Sequence, residues 1–266
     1  VIYGFHMTEQ VKHIHDIDGM MTDEMSPTFC IAKWHQTTIY LHRGETHSCY
    51  HPHPHAIPME KLQKDPSVLH NTPEKISQRM EMLMGERPDG CQYCWNVEDL
   101  GNDYVSDRKI RNAASYKPER LEEIKQNNYD FHVNPEYIEI AFSNECNFKC
   151  GYCHPMHSSS FYQEAKKHGP VPNVKNHNVD VSWFEAIDEK TNPYIKAWWE
   201  WWPEMSKTLN ILRITGGEPL LQKDTYKILD YLDEHPNPNL VFSVNTNGGV
   251  SDSKIDTFIS KMKRLH

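Results

Sequence analysis

From residue 137 onward, short apolar runs alternate with amphipathic stretches. Tyr137-Ile-Glu-Ile-Ala-Phe142 alternates as a half-buried strand does. Two further runs, 210–215 and Leu240-Val-Phe-Ser-Val244, read the same way. Helices are expected at about 223–234 and 252–264. The second carries Ile255, Phe258, Ile259, Met262 and Leu265 at helical spacing, which predicts one buried face. Strand, loop and helix therefore succeed one another, the pattern of a parallel α/β architecture. Between the first two strands, 156–207 is long and ends in Trp198-Trp-Glu-Trp-Trp202 on an expected helix. Trp198 and Trp202 lie four apart and would share a face packed against the sheet, with Trp199 and Trp201 flanking; packing is favoured over a stacking platform for an aromatic ligand.

Upstream the pattern is less regular. Residues 1–25 form a polar N-terminal segment, rich in His and Asp and expected to be weakly structured. Residues 26–115 form a small, irregular cysteine- and histidine-bearing region, with a hairpin near Gly44 and a helix from about Pro73 to Met84. A connecting helix, about Pro118 to Gln126, lies within 116–135, and the α/β part occupies 136–266. No internal repeat or low-complexity linker separates these parts.

The net charge of -9 argues against a generic nucleic-acid binder. No apolar run approaches the ~20 residues of a membrane span, and no signal peptide is read at the start. The chain opens on Val, so its start is expected to be processed or missing. Seven cysteines, mostly in close-spaced sets, read as metal or cluster ligands in a reducing cytoplasm rather than as disulfides.

Cys146, Cys150 and Cys153 form a CxxxCxxC triplet directly after the first strand. Three thiolates on one loop suit an iron–sulfur cluster better than zinc, which in structural sites takes four protein ligands. A cluster held by three cysteines keeps one iron open. Tyr152 supplies an aromatic that can shield one side. The triplet with its aromatic resembles the signature of radical S-adenosylmethionine (SAM) enzymes. Ile211-Leu-Arg-Ile-Thr-Gly-Gly-Glu-Pro-Leu-Leu221 resembles the family's GGEP segment, and Asn245-Thr-Asn-Gly248 the end of its third barrel strand.

This resemblance implies a partial (β/α)6 barrel and two cofactors, a [4Fe-4S] cluster and SAM. Reductive cleavage of SAM would give a 5′-deoxyadenosyl radical that takes hydrogen from a substrate. It implies that Thr215, Gly216, Gly217 and Glu218 hold the methionine end, Glu218 as acceptor for its ammonium group. Ser243, Asn245 and Asn247 are candidates for the adenosyl side. An electron donor such as flavodoxin or ferredoxin is implied as partner. An eight-unit barrel takes about 250 residues, so six units need about 190. From Glu136 there are 131 residues, and three strands are legible, so the barrel is expected to stop about half-way and the chain alone to be inactive.

Cys30, Cys49, Cys91 and Cys94 are the remaining cysteines, the last two a CxxC pair. Four thiolates can close a zinc site or fully ligate a [4Fe-4S] cluster. Cys…Gly44-x4-Cys49 resembles the SPASM and twitch domains of radical SAM enzymes, though here the cysteines precede the barrel. The resemblance implies an auxiliary iron–sulfur cluster, with structural zinc as the alternative. His51, His53 and His55, with His42 and His47 near, read as a polar loop over that centre rather than as ligands, and His154 as a neighbour of the triplet. Glu98, Ser106 and Arg108 either contact substrate or cap local structure. An auxiliary cluster points to a peptide or protein substrate. A small molecule or nucleoside, or a cluster- or zinc-binding module without turnover, are the alternatives.

Overall fold

The computed structural model of the chain describes residues 9–126, 132–169 and 181–265. Two units divide it: Val1–Thr38, Thr46–Lys61 and Ser67–Pro135 form one, and Ile39–Glu45, Leu62–Pro66 and Glu136–His266 the other. No described helix is long and apolar enough to cross a membrane.

The first unit is built around helices α1 (Glu9–Glu24), α2 (Ala32–His35), α4 (Pro73–Leu83), α5 (Gln92–Glu98), α6 (Asp107–Ser115) and α7 (Pro118–Gln126). Strands β1 (Gln36–Tyr40), β2 (Glu45–His47) and β3 (His55–Ala56) and the short α3 (Met59–Leu62) complete the stretch to Pro135, β1, β2 and α3 straddling the division between the units. Caps explain several starts. Thr72 accepts the Lys75 N–H ahead of α4, whose first residue is proline, and Ser106 accepts the Lys109 N–H ahead of α6. Met21, Phe29, Ile31, Trp34, Met82, Trp95, Leu121 and Ile124 share one core, and Cys30 and Cys91 belong to it.

This unit differs from expectation in two ways. The polar segment read as weakly structured carries α1, held because Met21 is buried in the core and Asp18 pairs with Arg108; its first eight residues lie outside the described ones. Residues 26–115 carry strands on either side of Gly44 and the helix from Pro73, as expected, and add the short helices α2, α3, α5 and α6.

The second unit follows the expected alternation. Strands β4 (Tyr137–Ala141), β5 (Ile211–Thr215) and β6 (Val241–Val244) are parallel and adjacent in that order. Tyr137 is in register with Ile211, and Ile211 with Val241. The helices are α8 (Ser159–His168), α9 (Pro193–Met205), α10 (Lys223–Glu234) and α11 (Asp252–Met262). Ile138, Ile140, Leu212 and Ile214 are buried beneath α9 and α10, whose Trp198, Trp202, Ile228 and Leu229 are fully buried. Trp198 meets Phe142 edge-on at 5.7 Å and Trp202 at 5.2 Å. Packing is thus the role of the tryptophan run. Trp201 is buried too, and Trp199 donates its indole N–H to Asp224 at 2.8 Å.

The face expected to be buried on α11 is not. None of its residues is buried: it rests on α10 and the turn at Pro219–Leu221, and β6, the outermost strand, leaves Val241 60% exposed.

Candidate cofactor-binding sites

The loop after β4 carries the cysteine triplet, and its backbone is pinned by three consecutive serines that sequence reading passed over. Ser159 Oγ accepts the Cys146 N–H at 3.0 Å, Ser160 Oγ donates to the Cys146 carbonyl at 2.6 Å, and Ser158 Oγ donates to the Phe148 carbonyl at 2.7 Å. The Cys153 N–H closes a turn onto the Cys150 carbonyl at 2.8 Å. All three thiols are half-buried. Partial burial, with Cys146 and Cys150 beside it, pushes the Cys153 thiol up. Thiols this close ionise together only beside a cation, which fits the donor set of a cluster. Tyr152 is 94% exposed, its side chain within hydrogen-bonding reach of Cys150. His154 accepts the Met156 N–H and packs edge-on against Phe184 at 4.8 Å, a local structural role.

The glycine pair after β5 locks onto this loop. Gly216 and Gly217 have φ of +76° and +51°. A Cβ on Gly217 would fall 2.2 Å from the Glu145 carbonyl oxygen, and one on Gly216 2.3 Å from Ala141 Cβ. Only glycine permits both the backbone conformation and the approach. In return, the Glu218 N–H donates to the Glu145 carbonyl at 2.7 Å and the Gly217 N–H to the His157 carbonyl at 3.1 Å.

Glu218 ties the loops after β5 and β6 together. Its side chain is fully buried. The carboxylate accepts the Leu220 N–H at 2.9 Å, the Thr246 hydroxyl at 2.7 Å and the Asn247 N–H at 2.6 Å. Those donors make it a strut between the loops after β5 and β6. Thr215 closes β5, its hydroxyl 3.4 Å from Glu139. Ser243 lies on β6; Asn245 donates its N–H to the Ile214 carbonyl at 2.9 Å and faces Arg213. Asn247 reaches the triplet itself: its amide nitrogen is 3.8 Å from Cys146 Sγ and 3.1 Å from Asn147 Oδ1.

The second set of thiols lies within the first unit. Cys30, just before α2, Cys49 after β2, Cys91 and Cys94 at the start of α5 line one small cavity, with Lys33 and Arg108 among its other walls. Cys30, Cys91 and Cys94 are buried. Burial, then the thiols of Cys49 and Cys91, pushes the Cys30 thiol strongly up, and Cys94 is raised in the same way. Such a pocket holds four thiolates only around a strongly positive centre. Among the described residues no three or more His, Cys, Asp or Glu side chains meet closely enough to share one ion. Of the histidines, His51 lines this cavity and stacks on Tyr93 at 3.7 Å, and His55 sits between Thr72 and Glu74; His42 lies in the second unit, its ring against the Ala141 and Met156 carbonyls. Ser106, Glu98 and Arg108 are structural. Arg108 donates to Glu98 at 2.8 Å and to Asp18 at 3.3 Å.

The second unit is thus a parallel α/β unit in which a three-thiol loop and a glycine turn interlock at the ends of adjacent strands. Residues 140–266 match the model of the Radical SAM superfamily. The superfamily's cofactors are a [4Fe-4S] cluster and SAM. Among curated relatives, the radical SAM cyclopropyl synthase TigE of Paramaledivibacter caminithermalis is 29% identical over 47% of this chain and 24% of its own length. The GTP 3′,8-cyclase of Nautilia profundicola is 30% identical over 42% of this chain and 28% of its own, and that of Helicobacter pylori strain J99 is 28% identical over 42% and 27%. The match thus spans about a quarter of these relatives' length. No solved structure matches the chain significantly.

Proposed function

We propose that this chain is the cluster-bearing part of a radical SAM enzyme. The observation that carries the reading is the interlock itself: Cys146, Cys150 and Cys153 on one loop, joined by backbone hydrogen bonds to the Gly216–Gly217 turn. When bound, the cluster and SAM supply a one-electron cleavage that yields a carbon radical able to abstract hydrogen. The chain's residues do the holding. Cys146, Cys150 and Cys153 ligate three irons and leave the fourth for SAM, while Asn247 donates toward Cys146. The open backbone beside Thr215, Gly216 and Gly217 receives the methionine end, and Glu218 keeps that turn and the Thr246–Asn247 loop in place. Ser243, Asn245 and Asn247 line the adenosyl side.

Cys30, Cys49, Cys91 and Cys94 hold a second, auxiliary iron–sulfur cluster, in a twitch-like arrangement placed ahead of the barrel. Four thiols lining one small cavity, two of them a CxxC pair, support that reading, with structural zinc as the alternative. All seven cysteines are free thiols, which suits a reducing cytoplasm and a one-electron donor such as flavodoxin or ferredoxin. A peptide or protein substrate, expected from the auxiliary cysteines, gains no support from the relatives; GTP 3′,8-cyclase is named for a nucleotide. The substrate class favoured is therefore a small molecule.

The test is anaerobic reconstitution of the full-length protein with iron and sulfide, followed by SAM and a strong reductant. Release of 5′-deoxyadenosine is expected. A cluster-loaded protein that releases none would end the radical assignment.

A further inference from the structure

The first unit buries an excess of positive charge around its thiols. Arg108 is neutralised locally, because Asp18 and Glu98 both reach it. Asp18 is the buried carboxylate among the described residues of this unit. Two lysines are buried without such help. Lys33, 2% exposed, lines the cysteine cavity and donates to the neutral Gln78 Oε1. Lys75, fully buried, donates to the hydroxyls of Thr37 at 2.7 Å and Thr46 at 2.8 Å. Thr46 stands three residues before Cys49 on the same β2 arm. Arg79, also buried, adds to the positive field.

A buried ammonium surrounded only by neutral oxygens is costly unless a negative group shares the space. Burial, then Arg79 and Lys33, drives Lys75 well below the usual lysine range, and the Cys49 thiolate and the neighbouring Glu74 carboxylate oppose this. Four thiolates around a [4Fe-4S] core of charge +2 carry a net charge of about −2. Two lysines supply the matching charge.

We propose that Lys33 and Lys75 are the counter-cations of an anionic centre at Cys30, Cys49, Cys91 and Cys94, and that they hold its reduction potential up. The inference rests on the auxiliary-cluster reading and deepens it. Removing a positive charge disfavours the reduced, more negative cluster, while the first cluster serves as an internal reference.

The experiment is an anaerobic redox titration of the reconstituted full-length protein, read by the electron paramagnetic resonance signal of each cluster. Lys33→Met and Lys75→Met are each expected to lower the reduced-to-oxidised ratio of the second cluster, at fixed potential, by about tenfold, or 59 mV for a one-electron couple. The first cluster's midpoint should not move. An unchanged second midpoint in variants that keep about eight irons overturns the proposal and leaves the auxiliary cluster standing. About four irons in the unsubstituted protein overturns both. Should Lys33→Met lose iron, Lys33→Arg keeps the charge and is expected to retain iron and potential; iron loss in Lys33→Arg as well overturns the charge argument.

Discussion

The two sets of thiols are assembled in opposite ways. Cys146, Cys150 and Cys153 lie on one loop, half-exposed, directly after a strand. Cys30, Cys49, Cys91 and Cys94 come from three separate stretches and meet in a largely buried pocket beside buried cations. Three ligands from eight consecutive residues cannot surround a cluster, so one side stays open by construction. Four ligands brought in by a folded core can close it. Openness is a local property of sequence here, and closure a product of tertiary packing.

The sharpest break of this comparison separates activity from iron. Cys150→Ala is expected to take 5′-deoxyadenosine release to background and to remove about four irons. Cys91→Ala with Cys94→Ala should also remove about four irons, from the second set, leaving the signal of the first cluster in place. Loss of zinc with iron unchanged in that double variant would replace the auxiliary cluster with a structural metal.

Next in size are the buried charges that tie each unit. Arg108→Ala leaves Asp18 buried with the neutral Asn112 amide but no cation and should cost about 3–5 kcal/mol in denaturant unfolding of the first unit. Glu218→Ala strands the Leu220 and Asn247 N–H groups and the Thr246 hydroxyl, a loss of about 3 kcal/mol confined to the second unit. Equal losses in both units from either substitution would show that the two do not unfold separately.

The smallest effect is on pH. Burial, then His157 nearby, lowers His42 to about 4. Folded His42 is therefore neutral where the unfolded chain, near 6.5, takes up a proton. Its contribution to stability is complete above about pH 6.5 and is lost as pH falls from there toward 4. From pH 7 to pH 5 this single group should cost the second unit about 2 kcal/mol, measured as a shift in urea midpoint.

Much of the second unit was legible because its signals are local. The strands declare themselves by alternation, and the thiol spacing and glycine pair each occupy a few consecutive residues. The task of Glu218 was not legible, since Thr246 lies 28 residues away and only the fold brings it to the carboxylate. The serines 158–160 were missed for a related reason: their bonds reach back to Cys146 and Phe148, and nothing in a run of serines names its acceptors. In the first unit the CxxC pair could be read, but the convergence of Cys30 and Cys49 upon it depends on how α2, β2 and α5 pack. The buried face forecast for α11 failed because periodicity reports amphipathicity and not the presence of something to cover it.

The placement of tryptophan gives the molecule a built-in optical gauge. Trp95 shares its core with Cys30 and Cys91, whereas Trp198 leans on Phe142, four residues ahead of Cys146. Iron–sulfur clusters absorb where tryptophan emits, so each centre should dim the indoles packed nearest to it. Replacing Trp34 and Trp95 by phenylalanine would leave the intrinsic fluorescence to the second unit, and the filling of the Cys146 loop could then be followed in real time without a label.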